Sequence, residues 1–310
     1  MNNKVDVLAR LPDQAIHLPF EAGEYRMAMG LTTVPESHWF EIDARYQDDM
    51  RQRRDLLTER HDKVFAALPS SDAARAETLD MVVANLIAHH PTWFGRDATR
   101  LHNYLTGETW HIAPHSPDPL ELAGRLVQED LCVIEQAADG PRLTAAILCF
   151  PSRWRLQDKV GRPLSDVHGP VPLYADRLAR PVDRFMQHVK AGHIAQRLNW
   201  SVMDDPAFFQ PAGHGREGHN SSITAHNAGE TLNLRVERQT LRRLPRSGAV
   251  LFGIRVHVYS LAQAVTTSAV ATSLAAAVRA LPDELIRYKS LGTFRDALLG
   301  WLETVQCATT

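Results

Sequence analysis

The stretch KVGRPLSDVHGPVPLY, from Lys159 to Tyr174, holds a single imidazole, His168, among three prolines and two glycines. Proline fixes φ and pushes the residue before it into an extended conformation, so Pro163, Pro170 and Pro172 leave this segment few conformations and aim His168 in a defined direction. Such pre-organisation suits an imidazole that ligates a metal or a haem iron, where a wandering side chain weakens the bond. The plainer alternative is a histidine that caps a turn or satisfies a buried carbonyl.

Cations gather on both sides of that segment in the sequence. Arg153, Arg155, Lys159 and Arg162 surround its start, and LRVERQTLRRLPRSG supplies Arg235, Arg238, Arg242, Arg243 and Arg246. Guanidinium forks pair bidentately with carboxylates, so a bound dianion such as a haem with two propionates accounts for that density in a near-neutral chain. A solvated basic strand edge, which discourages aggregation, accounts for it as well. If Asn233 to Leu241 is a strand, Asn233, Arg235 and Glu237 share one face and Leu234, Val236 and Arg238 the other.

Other motifs carry less. A literal G-x-G-x-x-G runs from Gly213 to Gly218. The dinucleotide fingerprint needs a strand before it and a helix N-terminus after it, and the flanks DDPAFFQPA and HNSSITAHN offer neither. His214, His219 and His226 follow no familiar zinc spacing and read as a surface loop or lid. There is no G-x-S-x-G, S-x-x-K or H-E-x-x-H.

The elements that must position these residues follow from periodicity. The first forty residues read as irregular, with a short strand around Arg26 to Leu31. Helical spacing runs from Tyr46 to Leu68, from Ala73 to His89 and from Asp176 to Val189. Strand pairs are expected at 131–136 with 143–150, around Ala-Asp-Gly-Pro, and at 233–241 with 249–259, around Pro245 to Gly248. Segments 261–281 and 283–303 close the chain as helices. Hairpins with helices before, between and after them make an α+β pattern, here taken as one domain with a helical N-terminal extension of about 128 residues and C-terminal helices from about 261.

Composition excludes several classes. The 310 residues carry 34 Lys plus Arg against 36 Asp plus Glu, so no basic field exists to hold nucleic acid or an anionic membrane. No window approaches the roughly 18 apolar residues of a spanning helix, and the opening MNNKVDVLARLPDQ lacks a signal-peptide pattern, so a cytoplasmic location is expected. Three widely spaced cysteines, Cys132, Cys149 and Cys307, argue against a disulfide framework or a cluster held by this chain alone.

Four ordered stretches resemble one family. RWRLQDKVGRPLSDVHGPVPLY, VDRFMQHVKAGHIAQRLNWSV, LRVERQTLRRLPRSGAVLFGIRVHVY and the early LPFEAGEYRMAMGLTTVPESHWFEID are similar to consecutive motifs of the haem-dependent oxidative N-demethylases, across most of residues 18 to 260. The resemblance implies a PAS-like antiparallel sheet that binds haem b and oxidises an N-methyl group of a secondary amine such as dimethylamine, using O2 and releasing formaldehyde. It also implies electrons from NADPH through partner reductase subunits that carry flavin and an iron–sulfur centre. On this reading His168 is the axial ligand, with Cys149 the alternative because a thiolate promotes O–O cleavage. Lys159, Arg155, Arg235, Arg238 and Arg242 would hold the haem, while Glu237, Tyr174 and Trp200 are candidates to hold the ammonium of the substrate by charge or cation–π contact. A haem-binding PAS-like sensor, or an amine-binding module without turnover, is the competing reading.

Overall fold

The computed structural model describes residues 11–111 and 117–308. A hairpin and a meander make the centre of the fold. Strands β6 (Asp130–Ala137) and β7 (Gly140–Ile147) form the hairpin, and β8 (Ile194–Met203), β9 (Asn233–Arg243) and β10 (Val250–Ser260) form the meander. β10 returns to pair with β6, and the edges are extended by β1 (Thr32–Val34) and β2 (Phe65–Ala67), giving a seven-stranded sheet in the order β1-β8-β9-β10-β6-β7-β2. Every pairing in it is antiparallel. A second sheet contains β3 (Phe94–Arg96), β4 (Arg100–Asn103) and β5 (Glu108–His111).

Both long hairpins form where apolar, β-branched runs flank a turn. DLCVIEQA is buried over its first five residues, and the turn between β9 and β10 is closed by Gly248, whose φ of +75° suits a residue without Cβ. The five longest helices among the described residues are α1 (Tyr46–Glu59), α2 (Asp72–His89), α3 (Ala179–His188), α4 (Ser268–Ala280) and α5 (Arg295–Ala308). β10 ends in a capping box in which Ser260 and Gln263 exchange side-chain to backbone hydrogen bonds.

The two sheet faces differ. On one, here called the closed face, Leu234, Val236, Arg238, Thr240 and Arg242 of β9 stand beside Leu251, Arg255, His257 and Tyr259 of β10, all buried. Two apolar clusters make the core. One, built on Trp39, Phe40, Met50, Leu86 and the hairpin, reaches both faces of the sheet through Leu251 on this side and Leu241, Ile254 and Val256 on the other; the second packs Leu274, Leu285, Leu298 and Leu302 of the C-terminal helices onto Val202, Leu234, Val236 and Tyr259 of this face. A seam of buried charges runs along this side. Arg255 pairs with Asp43 at 2.9 Å and Asp49 at 3.1 Å, and Arg53 pairs with Asp130 at 3.1 Å.

On the other face Arg235, Glu237, Leu241, Ile254 and Val256 are buried, but Ala195, Arg197, Asn199, Gln239, Phe252 and Val258 are only half-buried, although β8, β9 and β10 lie inside the sheet. This is the half-open face.

Several sequence expectations shift. The first strand is Thr32–Val34 rather than Arg26 to Leu31. The helix expected through Leu68 stops at Glu59, and Phe65–Ala67 pairs with β7 as an edge strand. Segment 283–303 is two helices separated by a 3-10 turn, with Ser290 at φ 58°. No helix among the described residues is long and apolar enough to cross a membrane.

Candidate functional site

His168 ends the short helix Leu164–Val167 that Pro163 opens. Its Nδ1 lies 2.9 Å from the Leu164 carbonyl, an acceptor that fixes the proton on Nδ1 and leaves the Nε2 lone pair free. The ring stacks on Tyr174 with centroids 4.4 Å apart and planes 13° from parallel. Lys159 Nζ donates to the Val167 carbonyl and ties the loop from outside. Burial holds the imidazole below its usual pKa, the Leu164 contact opposes this, and the positive charges of Lys159 and Arg197 add to the lowering. His168 is therefore a neutral donor near neutral pH. With Ser165, Pro172, Tyr174 and Asp176 it lines a cavity of about 260 Å³.

Arg197 lies on the half-open face of β8, opposite Gln239, and the next pair on that face is Asn199 with Glu237. Glu237 Oε2 accepts from Asn199 Nδ2 at 3.2 Å and from Gln239 Nε2 at 2.7 Å. Arg197 makes no ion pair among the described residues, and its Nε is buried without a hydrogen-bond partner. Burial lowers its pKa, opposed by Glu237 and Tyr25. Lys289 Nζ donates to the Trp200 carbonyl at 2.8 Å, and burial pushes this ammonium down to about 8, with Glu237 opposing and Arg197 adding to the shift. Glu237, Arg197 and Lys289 thus share one electrostatic neighbourhood, which also reaches His168 through Arg197.

The backbone around it is unusual. Among the described residues, three non-glycine residues have positive φ: Arg153 at 65°, Leu173 at 64° and Ser290 at 58°. Leu173 precedes Tyr174, and Ser290 follows Lys289. Arg153 is locked by Asp204 at 3.0 Å and by the carbonyl of Lys289 at 3.3 Å. Left-handed conformations of such residues cost free energy and collect where surrounding structure must hold a working geometry.

The other sequence candidates are distributed differently. Arg235 is on the same face as Glu237, but its guanidinium is consumed by Ser152 Oγ and the carbonyls of Phe150, Pro151, Ala207 and Phe208. Arg238 and Arg242 are on the closed face. Arg238 pairs with Glu41 at 3.1 Å and donates to the carbonyls of His38 and Trp39, and Arg242 pairs with Glu36 at 2.5 Å while lying over the Trp39 ring. Trp200 also faces that side, edge-on to Phe20 at 5.6 Å. Arg155 is exposed, pairs with Asp158 at 2.9 Å and borders a separate cleft of about 440 Å³ with Arg60, Trp154 and Phe209. The Cys149 thiol is fully buried and burial pushes it up to about 12, so it is a thiol and not a thiolate.

The glycine-rich loop shows no dinucleotide geometry: Gly213 and Gly215 have positive φ, and no helix starts until Ala228. His214 stacks on Tyr288 at 4.2 Å, whereas His219 and His226 are exposed. Sequence reasoning missed Arg197. Its signal was available in the apolar and polar alternation of IAQRLNWSVM, which marks a strand with one wet face.

A family model described as haem-dependent oxidative N-demethylase, alpha subunit-like, matches residues 30–299. The chain belongs to that family. For the haem stated in that description, the donor set of this N-demethylase alpha-subunit-like chain is chemically suitable. It has a neutral imidazole with one free nitrogen, half-buried apolar side chains at Ala195, Phe252 and Val258, and an unpaired guanidinium at Arg197 able to meet a propionate.

Proposed function

We propose that this chain is the haem subunit of an oxidative N-demethylase that converts a secondary methylamine, dimethylamine or a close analogue, to the demethylated amine and formaldehyde. The balance is one N-methyl group oxidised by one O2, with two electrons and two protons also consumed and one water released. Family membership supports the reaction class. The observation that carries the site is His168, tethered through Nδ1 and free at Nε2, within electrostatic reach of Arg197, whose Nε is buried without a hydrogen-bond partner. The order β7-β6-β10-β9-β8 within the larger sheet supports the PAS-like reading of the fold.

In this reading His168 ligates the iron of a haem b, Arg197 pairs with a propionate, and Lys159 holds the His168 loop in place. Bound haem supplies the chemistry with O2. The chain's own residues bind and orient the amine: Glu237 attracts the ammonium, Asn199 and Gln239 fix the rotamer of Glu237, and Tyr174 keeps the His168 ring from turning. In this reading electrons come from NADPH through partner subunits with flavin and iron–sulfur centres; the alpha-subunit-like description of the family supports an assembly of several subunits.

The test is an absorption spectrum followed by an assay. The purified protein is expected to show a Soret band with about one iron per chain, and formaldehyde is expected from dimethylamine only when reductase, NADPH and O2 are all present. A protein that takes up no haem on reconstitution overturns the reading. A haem protein that releases no formaldehyde from any methylamine reduces it to the sensor.

A further inference from the structure

On the closed face, away from His168, two imidazoles and one carboxylate converge. His257 is on β10 and fully buried, Glu41 lies in the segment just before α1, and His17 belongs to the N-terminal segment that crosses the sheet. Glu41 Oε2 is 2.9 Å from His257 Nε2 and 3.3 Å from His17 Nε2. One potential donor atom from each residue lies within 4.8 Å of the others, and this is the only such group of metal-type ligands among the described residues. We propose that His17, Glu41 and His257 form a metal site that takes a divalent first-row transition cation, zinc or ferrous iron.

Geometry supports a chelate. Bonds of about 2.0–2.2 Å at tetrahedral or octahedral angles put neighbouring ligand atoms about 3.0–3.4 Å apart. Two edges of the triangle, 2.9 and 3.3 Å, are already close to that spacing, and the donor atoms of all three residues lie within 4.8 Å of one another.

The supporting contacts are those a metal site needs. Gln14 is 3.2 Å from His257 Nδ1, and with its amide oxygen turned to that nitrogen it accepts the Nδ1 proton and leaves Nε2 for the cation. Arg238 Nε holds Glu41 Oε1 at 3.1 Å, so Oε2 is the oxygen presented to the two imidazoles. The Glu41 backbone N–H donates to Glu129 at 3.0 Å, and Tyr259 OH bonds the Ala15 carbonyl, which pins the segment bearing His17.

A seam of paired charges adjoins the site. The adjoining seam sets the carboxylates of Glu41, Asp43, Asp49, Glu129 and Asp130 against the guanidiniums of Arg45, Arg53, Arg238 and Arg255, and Glu129 Oε2 is buried without a partner. Burial pushes the Glu129 carboxyl up to about 7 and raises Asp130 as well, so the seam is near charge balance and what a cation meets is the Glu41 carboxylate itself. His17 and Glu41 retain 19% and 25% side-chain exposure, which gives the ion a path in. Three protein ligands leave at least one position for water, the donor set of catalytic zinc and of non-haem ferrous sites.

The experiment uses the full chain carrying Cys307→Ser, so that the exposed thiol takes no metal, dialysed against chelator and titrated with Zn²⁺ alone by calorimetry. One zinc per chain is expected. His17→Ala is expected to weaken it at least about tenfold, and Gln14→Ala by about tenfold, as for losses of ligands and their supporting partners. His168→Ala is expected to bind zinc as the parent does, which separates this site from the haem reading. Metal analysis of the protein as isolated distinguishes zinc from iron in excess of haem. Equal zinc affinity in the parent and His17→Ala, with both folded by circular dichroism, overturns the proposal, as does a parent that binds no zinc. His17 is on a half-buried surface segment, so the deciding variant does not depend on the core tolerating a change at His257.

Discussion

Glu237 and Arg238 are neighbours in the chain and work on opposite sides of the sheet. Glu237 accepts from Asn199 and Gln239 on the half-open face, while Arg238 donates to the carbonyls of His38 and Trp39 on the closed one. The basic run LRVERQTLRR is therefore two sets of cations, and the partner each set can take is decided by strand parity.

His168→Ala is expected to lose haem or shift its Soret band in both the ferric and the ferrous–CO forms, whereas Cys149→Ala is expected to keep the parent spectrum. The Cys149 thiol is buried and raised to about 12, and its removal leaves the ligand in place. An unchanged spectrum in His168→Ala refutes the ligand assignment.

Arg197→Leu is expected to raise the haem dissociation constant by roughly tenfold to a hundredfold, the worth of one charge-assisted hydrogen bond, with the urea midpoint little changed. Arg238→Leu is expected to do the reverse. It leaves Glu41 without its guanidinium and costs stability by about 3–5 kcal/mol, as breaking a buried pair does, with little change in haem affinity per folded molecule. Haem titration and denaturant unfolding of both variants decide it. Equal haem affinity in Arg197→Leu and the parent removes Arg197 from the cofactor.

Glu237→Gln removes the charge and keeps the shape. The spectral response of the haem to dimethylammonium is expected to weaken by at least tenfold while haem occupancy is unchanged, because an uncharged amide attracts the ammonium far less. Identical amine affinity in the two proteins takes Glu237 out of substrate binding.

Lys289 gives a pH signature. Its ammonium is pushed down to about 8 in the fold, against 10.5 for the free side chain. Between those values the unfolded chain binds the extra proton, so the contribution of this group to stability rises with pH, is complete above the upper value and is lost as pH falls through the lower one. The difference in unfolding free energy between the parent and Lys289→Met is expected to move in favour of the parent from about pH 8 to about pH 10. The tyrosines cancel in that difference. A flat difference shows that the ammonium is solvated.

Much of the scaffold was legible because it follows local rules. The runs around Cys132 and Val256 are apolar enough to be strands in any context, and Asp139-Gly140 and Ser247-Gly248 mark their turns. The alternation of β9 was also readable and separates Arg235 from Arg238. What did not follow was occupancy: nothing local says that Arg235 is saturated by backbone carbonyls from the 150–151 and 207–208 loops, or that Glu36 reaches Arg242 from two hundred residues away. The alternation of IAQRLNWSVM marks β8 as a strand with one wet face, but nothing local says that the Arg197 Nε is left buried there without a partner. The His17, Glu41 and His257 group escaped because its members are joined only by the fold.

The closed face carries the cluster that joins Phe20 to Leu302 and the buried charge seam, so residues near either end of the described chain bear on the same side of the sheet. The sheet then acts as a bulkhead between two regimes of selection. Changes among the buried residues of either side cost stability and will be rare, whereas the half-buried positions around Arg197 and Asn199 can exchange residues with less effect on the core. Within such an architecture, relatives can diverge around Arg197 and Asn199 while their scaffolds remain superimposable.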